Sequence, residues 1–284
     1  MVNHSFGRQR RLHQLYRHGT RLFVVPLDHS VSDGPIAPGD GFNHLVGQLA
    51  RNGVDAVVLH KGRLRYVDHR WFNDVALIVH LSASTSRAPD PDAKYLVARV
   101  EEALRFGADA VSVHVNVGSR NESRQLADLA EVANTCDLWN VPLLAMMYPR
   151  GPNVTNPRDP ELVAHAVALA AEFGADIVKT VYVGDVKAMA QVVRSSPIPI
   201  VVAGGARMMQ EGATEQFVRD AISAGVAGLA MGRNVFQAPD PGAMARRVSE
   251  LVHGISGSAR SPMNIAAVTT QLLRATREDS IGNA

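Results

Sequence analysis

Cysteine is almost missing from this chain: Cys136 is the only one in 284 residues. A single thiol builds neither an intrachain disulfide nor a thiolate-rich metal site, which fits a reducing cytosol. Long apolar runs are missing too, and none approaches the roughly 20 residues that span a bilayer. Residues 1–19 are polar and basic without the apolar stretch of a secretory signal. We therefore read a cytoplasmic protein with no membrane partner. An excess of one charge is also absent: Lys and Arg total 29 against 27 Asp and Glu, a net charge of +2. That is too little to mark a nucleic-acid surface. No His-Glu-x-x-His helix or comparable ligand spacing occurs among the 11 histidines, so no metal or other cofactor is implied. Lysine is scarce: Lys61, Lys94, Lys179 and Lys187 are the only four. The preference for arginine reflects codon usage, but it leaves any lysine chemistry four candidates.

Eight short apolar runs are present, at 22–27, 56–59, 75–81, 110–117, 142–147, 176–181, 199–203 and 228–231. They are rich in Val and Ile and nearly continuous, the pattern of strands buried on both faces of a parallel sheet. Amphipathic stretches lie between them and predict helices at 93–106, 161–173 and 214–223. Three predicted helices run into a similar bridge: Gly53-Val54-Asp55, Gly107-Ala108-Asp109 and Gly174-Ala175-Asp176, with Gly225-Val226-Ala227 as a looser fourth. Glycine there suits the left-handed residue that ends a helix. Eight such units predict an α/β fold, a closed (β/α)8 barrel over about 20–255, with one extra C-terminal helix at 261–278 and a single domain over 1–284. An open doubly wound sheet is the alternative. It would usually carry a glycine fingerprint after the first run, where Asp28-His29-Ser30 stands instead.

A barrel places its active site at the C-terminal ends of the strands, so the residues ending each run are the candidates. Lys179 stands inside an apolar run. Burial disfavours a charged amine, and the neutral amine is the form a Schiff-base nucleophile needs. A buried lysine can also serve an ion pair, yet a chain this rich in arginine has another residue for that. Lys61 ends the second run, either as nucleophile or as charge partner for a substrate or for Asp28. Lys94 and Lys187 fall early in predicted helices and read as solvated surface residues. Asp28 and Tyr148 end the first and fifth runs, where a carboxylate and a phenol near one amine can move protons. Gly204-Gly205 and Gly232-Arg233 end the seventh and eighth runs, where barrels frequently bind phosphate through backbone N–H groups, with Arg207 or Arg233 adding charge. His29, His60, His80 and His114 lie near strand ends as wall residues.

These residues carry a resemblance. Pro26-Leu27-Asp28-His29, His60-Lys61-Gly62, the 80–86 segment HLSASTS, the 107–119 segment GADAVSVHVNVGS, the 144–151 segment LAMMYPRG, the 174–180 segment GADIVKT, Ala203-Gly204-Gly205 and Gly232-Arg233-Asn234 resemble the DeoC/FbaB-type class I aldolases. The similarity covers roughly 5–255 and is nearest the branch of 2-amino-3,7-dideoxy-D-threo-hept-6-ulosonate synthases. It implies Lys179 as the Schiff-base lysine, Tyr148 as general acid/base and Asp28 as proton-transfer aid. It also implies that the glycine loops and Arg233 hold a ketose phosphate, with Lys61, His29 and Arg150 on the substrate side. A homo-oligomeric ring is implied as well. Val181 and Val183 flanking Tyr182, and Ala206-Arg207, depart from the synthase pattern on the active-site face and bear on the substrate. The expected activity joins dihydroxyacetone phosphate, or a deoxyketohexose phosphate donor, to L-aspartate 4-semialdehyde, in the biosynthesis of an aminohydroxybenzoate. The alternatives are fructose-1,6-bisphosphate aldolase and a non-catalytic sugar-phosphate-binding barrel.

Overall fold

The computed structural model describes residues 5–37 and 41–254. Eight parallel strands close on themselves: β1 (Leu22–Pro26), β2 (Ala56–Leu59), β3 (Ala76–His80), β4 (Ala110–Val117), β5 (Leu143–Pro149), β6 (Ile177–Val181), β7 (Ile200–Ala203) and β8 (Gly228–Ala230). Each pairs with its sequence neighbours, and β8 returns to β1. An open sheet would leave β1 or β8 an unpaired edge, so the doubly wound alternative is excluded and the fold is a TIM barrel.

The strands read as continuous apolar runs because both faces are buried. Val24, Val58, Ile78, Leu144, Val201 and Ala230 alternate into the barrel interior, while Val25, Val57, Val79, Ala145, Val178 and Val202 face the surrounding helices. The N-terminal pole is closed by the helix Phe6–Leu15, whose Leu12 and Leu15, with the following Tyr16, pack against the interior layer. Arg8 on that helix is buried, and its Nη1 donates to both carboxylate oxygens of Asp176 at 2.6 and 2.7 Å.

The repeated bridges have a structural cause. Gly53, Gly107, Gly174 and Gly225 all hold left-handed backbone, with φ between 77° and 88°. Two residues on, each aspartate accepts a backbone N–H from the preceding strand or the residue that begins it. Asp55 takes Phe23 at 2.7 Å, Asp109 takes Leu77 at 2.9 Å and Asp176 takes Leu143 at 2.8 Å. The carboxylates satisfy donors that a short parallel strand leaves open at the N-terminal pole. The fourth bridge carries Ala227, whose carbonyl oxygen accepts from Leu22 N–H at 2.9 Å and closes the barrel without a carboxylate.

One predicted helix is shorter than its periodicity suggests. Only Val100–Arg105 is helical; the preceding Tyr95–Leu96 pairs antiparallel with Ser82–Ala83. Backbone beyond the end of β3 needs hydrogen-bond partners, and this hairpin supplies them at the barrel mouth, with Val97 N–H bonding Leu81 O at 2.8 Å. The extra helix expected at 261–278 lies outside the described residues. Among the described residues no helix is long and apolar enough to cross a membrane.

Candidate active site

Strand pleating aims alternate residues inward. On β6 these are Ile177, Lys179 and Val181; on β5 they are Leu144, Met146 and Tyr148. Met146 lies opposite Lys179 in the ladder, and Lys179 Nζ sits 3.8 Å from Met146 Sδ with the side chain buried. Tyr148 follows on the same strand face and Arg150 just past the strand, stepping from the amine toward the mouth. A cavity of about 930 Å³ opens there, lined by Lys179, Tyr148 and Asp28 among others. It is the cavity that a barrel presents at the C-terminal ends of its strands.

Asp28, just past β1, is the negative centre of the site. Burial alone would raise its pKa, but His80, Lys179, His29 and His60 together outweigh burial and hold it at about 2. His80 Nε2 lies 3.8 Å and His29 Nδ1 3.5 Å from its oxygens. It is therefore a carboxylate throughout the neutral range. The histidines behave oppositely. Burial lowers the pKa of His80 to about 4, despite Asp28, and lowers His29, His60 and His114 as well. They stand neutral at pH 7, as polar walls. His80 Nδ1 is 2.8 Å from Ser112 Oγ, and His114 Nε2 is 2.8 Å from Asn116 Oδ1. The His114 ring packs on Tyr148 at 5.0 Å and orients the phenol.

Across the mouth, Gly204, Gly205, Gly232 and Arg233 line the same cavity. Gly205 holds φ +69°, a conformation that L side chains rarely adopt. A Cβ at Gly232 would come within 2.8 Å of His29 Cε1 and 3.0 Å of Pro26 O. The loops are tied together by Asn234, which donates to Gly204 O and Ala206 O and accepts from Met208 N–H. Arg233 Nε is buried without a hydrogen-bond partner among the described residues. Glycine-rich backbone and an arginine thus share this side of the mouth.

Nine of the ten residues singled out in the sequence line this cavity: Asp28, His29, Tyr148, Arg150 and Lys179 with Gly204, Gly205, Gly232 and Arg233. Lys61 does not; it turns outward to pair with Glu102 at 2.9 Å, so it is partner neither to Asp28 nor to a ligand in the cavity. Lys94 corrects the reading of a solvated helical lysine. The hairpin that replaces the helix carries it over the mouth, where it lines the cavity and bonds Ser84 Oγ. Asn234 entered the sequence reading only as part of the Gly232-Arg233-Asn234 motif, without a role of its own. The grouping able to hold a metal among the described residues is His18, Asp55 and His253, with ligand atoms within 4.8 Å of one another. It lies at the N-terminal pole, away from Lys179.

The DeoC/LacD family aldolase model matches residues 22–238. A Streptomyces griseus relative named 2-amino-4,5-dihydroxy-6-oxo-7-(phosphonooxy)heptanoate synthase is 60% identical, over 93% of this chain and 98% of its own. An Archaeoglobus fulgidus 2-amino-3,7-dideoxy-D-threo-hept-6-ulosonate synthase 1 is 41% identical, over 88% and 93%. An archaeal fructose-1,6-bisphosphate aldolase, whose structure has the catalytic lysine covalently bound to a carbinolamine intermediate, is 30% identical with a TM-score of 0.78, covering 87% and 100%. Barrel, lysine-centred cavity and relatives agree: the chain belongs to the DeoC/LacD family of aldolases and is an aldolase-type synthase, an enzyme of carbon–carbon bonds.

Proposed function

We propose that the enzyme is a Schiff-base aldolase that joins dihydroxyacetone phosphate to L-aspartate 4-semialdehyde. The observation that carries this reading is Lys179, buried beside Tyr148 and Asp28 in a cavity that the glycine loops past β7 and β8 and Arg233 also line. The product in the Streptomyces griseus relative's name supports the choice of substrates. Cut between its two hydroxyl-bearing carbons, that heptanoate falls into a three-carbon ketone phosphate and a four-carbon amino-acid aldehyde.

In this reading Lys179 Nζ adds to the ketone carbon and water leaves, giving an iminium ion. A proton leaves the adjacent hydroxymethyl carbon and the electron pair settles as an enamine. The enamine carbon attacks the aldehyde, the new alkoxide takes a proton, and water hydrolyses the iminium to free product and amine. The imine is the electron sink, so no step requires a metal. Tyr148 gives and takes the protons on oxygen. Asp28, ionised at neutral pH, assists the proton transfer from carbon, balances the iminium charge and orients the donor. The glycine loops, tied together by Asn234, hold the phosphate end, with Arg233 supplying charge.

A second reading has a specific support, the archaeal fructose-bisphosphate aldolases that share this barrel at about 30% identity. Borohydride reduction with dihydroxyacetone phosphate, followed by peptide mass mapping, tests the first. A reduced, phosphate-retaining adduct on Lys179 is expected, with aspartate semialdehyde turned over and fructose 1,6-bisphosphate left uncleaved. No adduct on the folded protein overturns the donor and turns the search to deoxyketohexose phosphates, which the same lysine would first cleave. Cleavage of the bisphosphate overturns the acceptor.

A further inference from the structure

The cavity has a second charged wall, opposite the glycine loops. Lys94 and Arg150 both line it, and neither forms an ion pair among the described residues. Lys94 is half-buried and hydrogen-bonds only neutral oxygens, Ser84 Oγ and Pro91 O. Burial lowers its pKa, and Arg150 pushes the same way. Two cations thus share one wall, and the Asp92 carboxylate acts on Lys94 in the opposite direction. Asp92 is on the same short segment and also lines the cavity.

The segment that carries them is held in place. Asn116 Nδ2 and Gln125 Nε2, on wholly buried side chains, donate to Asp92 O at 2.8 and 3.1 Å. Gln125 is itself fixed, accepting Asn116 N–H at 2.9 Å and donating to Ser119 Oγ at 2.7 Å. Two buried amides that converge on one backbone carbonyl, and are themselves tied to their neighbours, give a rigid mount. A loop that merely connected two elements would gain nothing from it. Met146 beside Lys179 and then Tyr148 on β5, with Arg150 just past the strand and its guanidinium 5.5 Å from the centre of the Tyr148 ring, make a line of side chains from the amine to this wall.

We propose that residues 91–94, with Arg150, form the subsite that binds the amino-acid end of the aldehyde acceptor: Lys94 and Arg150 take its α-carboxylate and Asp92 its α-ammonium. A zwitterionic head needs both signs within a few ångströms, and this wall offers both. The glycine loops across the mouth line the cavity with Arg207 and Arg233 and with no carboxylate, which suits the donor's phosphate. The inference rests on the acceptor assigned above and gives it a physical basis. An acceptor carrying a phosphate would find Asp92 repulsive.

The test separates the two ends of the site. For Lys94→Gln, KM for aspartate semialdehyde should rise about 10- to 100-fold, the worth of one charge-assisted hydrogen bond. Borohydride trapping of dihydroxyacetone phosphate on Lys179 should persist, and turnover of butanal, which has no head group, should fall by less than about threefold. Asp92→Asn should raise the same KM while leaving butanal unaffected. Equal losses with both aldehydes, or loss of trapping, would overturn the assignment, because Lys94 would then be a general support of the site. A Lys94→Gln enzyme that loses glyceraldehyde 3-phosphate as steeply as aspartate semialdehyde would overturn the amino-acid specificity. If the wild-type protein traps neither dihydroxyacetone phosphate nor a deoxyketohexose phosphate, the Schiff-base reading fails on its own. The subsite is then judged by calorimetry with L-homoserine, an unreactive analogue that should bind the wild type and not Lys94→Gln.

Discussion

Replacing Arg8 with methionine removes one partner of a buried pair and should cost more than any surface charge in the molecule. The side chains of Arg8 and Asp176 are 6% and 14% exposed, and their contacts are 2.6 and 2.7 Å. Asp137, 3.6 Å from the same guanidinium, is 68% exposed and adds little. Without Arg8, Asp176 keeps among the described residues only Leu143 N–H at 2.8 Å as a partner. A buried carboxylate stripped of its cation costs about 3–5 kcal/mol. At a urea m-value of about 3 kcal/mol/M the midpoint should fall by about 1 M or more. The deficit should also depend on pH. Burial already raises the Asp176 pKa, against the pull of Arg8, and losing Arg8 raises it further. A carboxyl whose folded pKa lies above its unfolded value costs stability above the folded pKa, and that cost fades as pH falls toward the unfolded value. Urea melts at pH 7.5 and pH 5 should therefore show a smaller deficit at pH 5. Asp176→Asn on top of Arg8→Met should recover stability, because the amide oxygen still accepts Leu143 N–H without a charge. A loss below about 1 kcal/mol, identical at both pH values, would refute the view that this pair closes the barrel floor.

Four further outcomes follow from the site. Lys179→Ala should give no borohydride adduct and no turnover, with an unchanged far-ultraviolet circular dichroism spectrum. Asp28→Asn should lower kcat by about 10²–10⁴ while trapping slows, the usual worth of a positioned proton-transfer group. Asn234→Ala should raise KM for dihydroxyacetone phosphate more than it lowers kcat, since it unties the two phosphate loops; equal effects on both would instead place it near the reacting carbon. Acidification should destabilise the barrel between pH 6.5 and 4. His80 has a folded pKa of about 4 against 6.5 unfolded, so the unfolded chain binds the proton first, a penalty approaching about 3 kcal/mol. His80→Gln should flatten that slope in melts scanned by pH.

Much of the architecture was legible in residue order alone. Strands buried on both faces must be apolar throughout, so eight Val- and Ile-rich runs marked the eight strands to within a residue or two. The Gly-x-Asp bridges marked the N-terminal pole, because a left-handed turn and a donor-hungry strand start are local needs met by local residues. Lys179 stood out as a charged residue inside an apolar run, and Asp28 and Tyr148 as polar residues at the ends of theirs, positions that a barrel turns toward its mouth. What the chain order could not show was decided by long-range pairing. The periodicity at 93–106 is helical, but the backbone past β3 needed partners, and the hairpin that met the need swung Lys94 into the cavity. Lys61 follows the end of β2 as Asp28 follows that of β1, yet Glu102, 41 residues away, draws it outward. The charge state of Asp28 belongs to no single segment. It depends on His29, His60, His80 and Lys179, from β6 and the ends of three other strands, and only closure of the barrel sets them around one carboxylate.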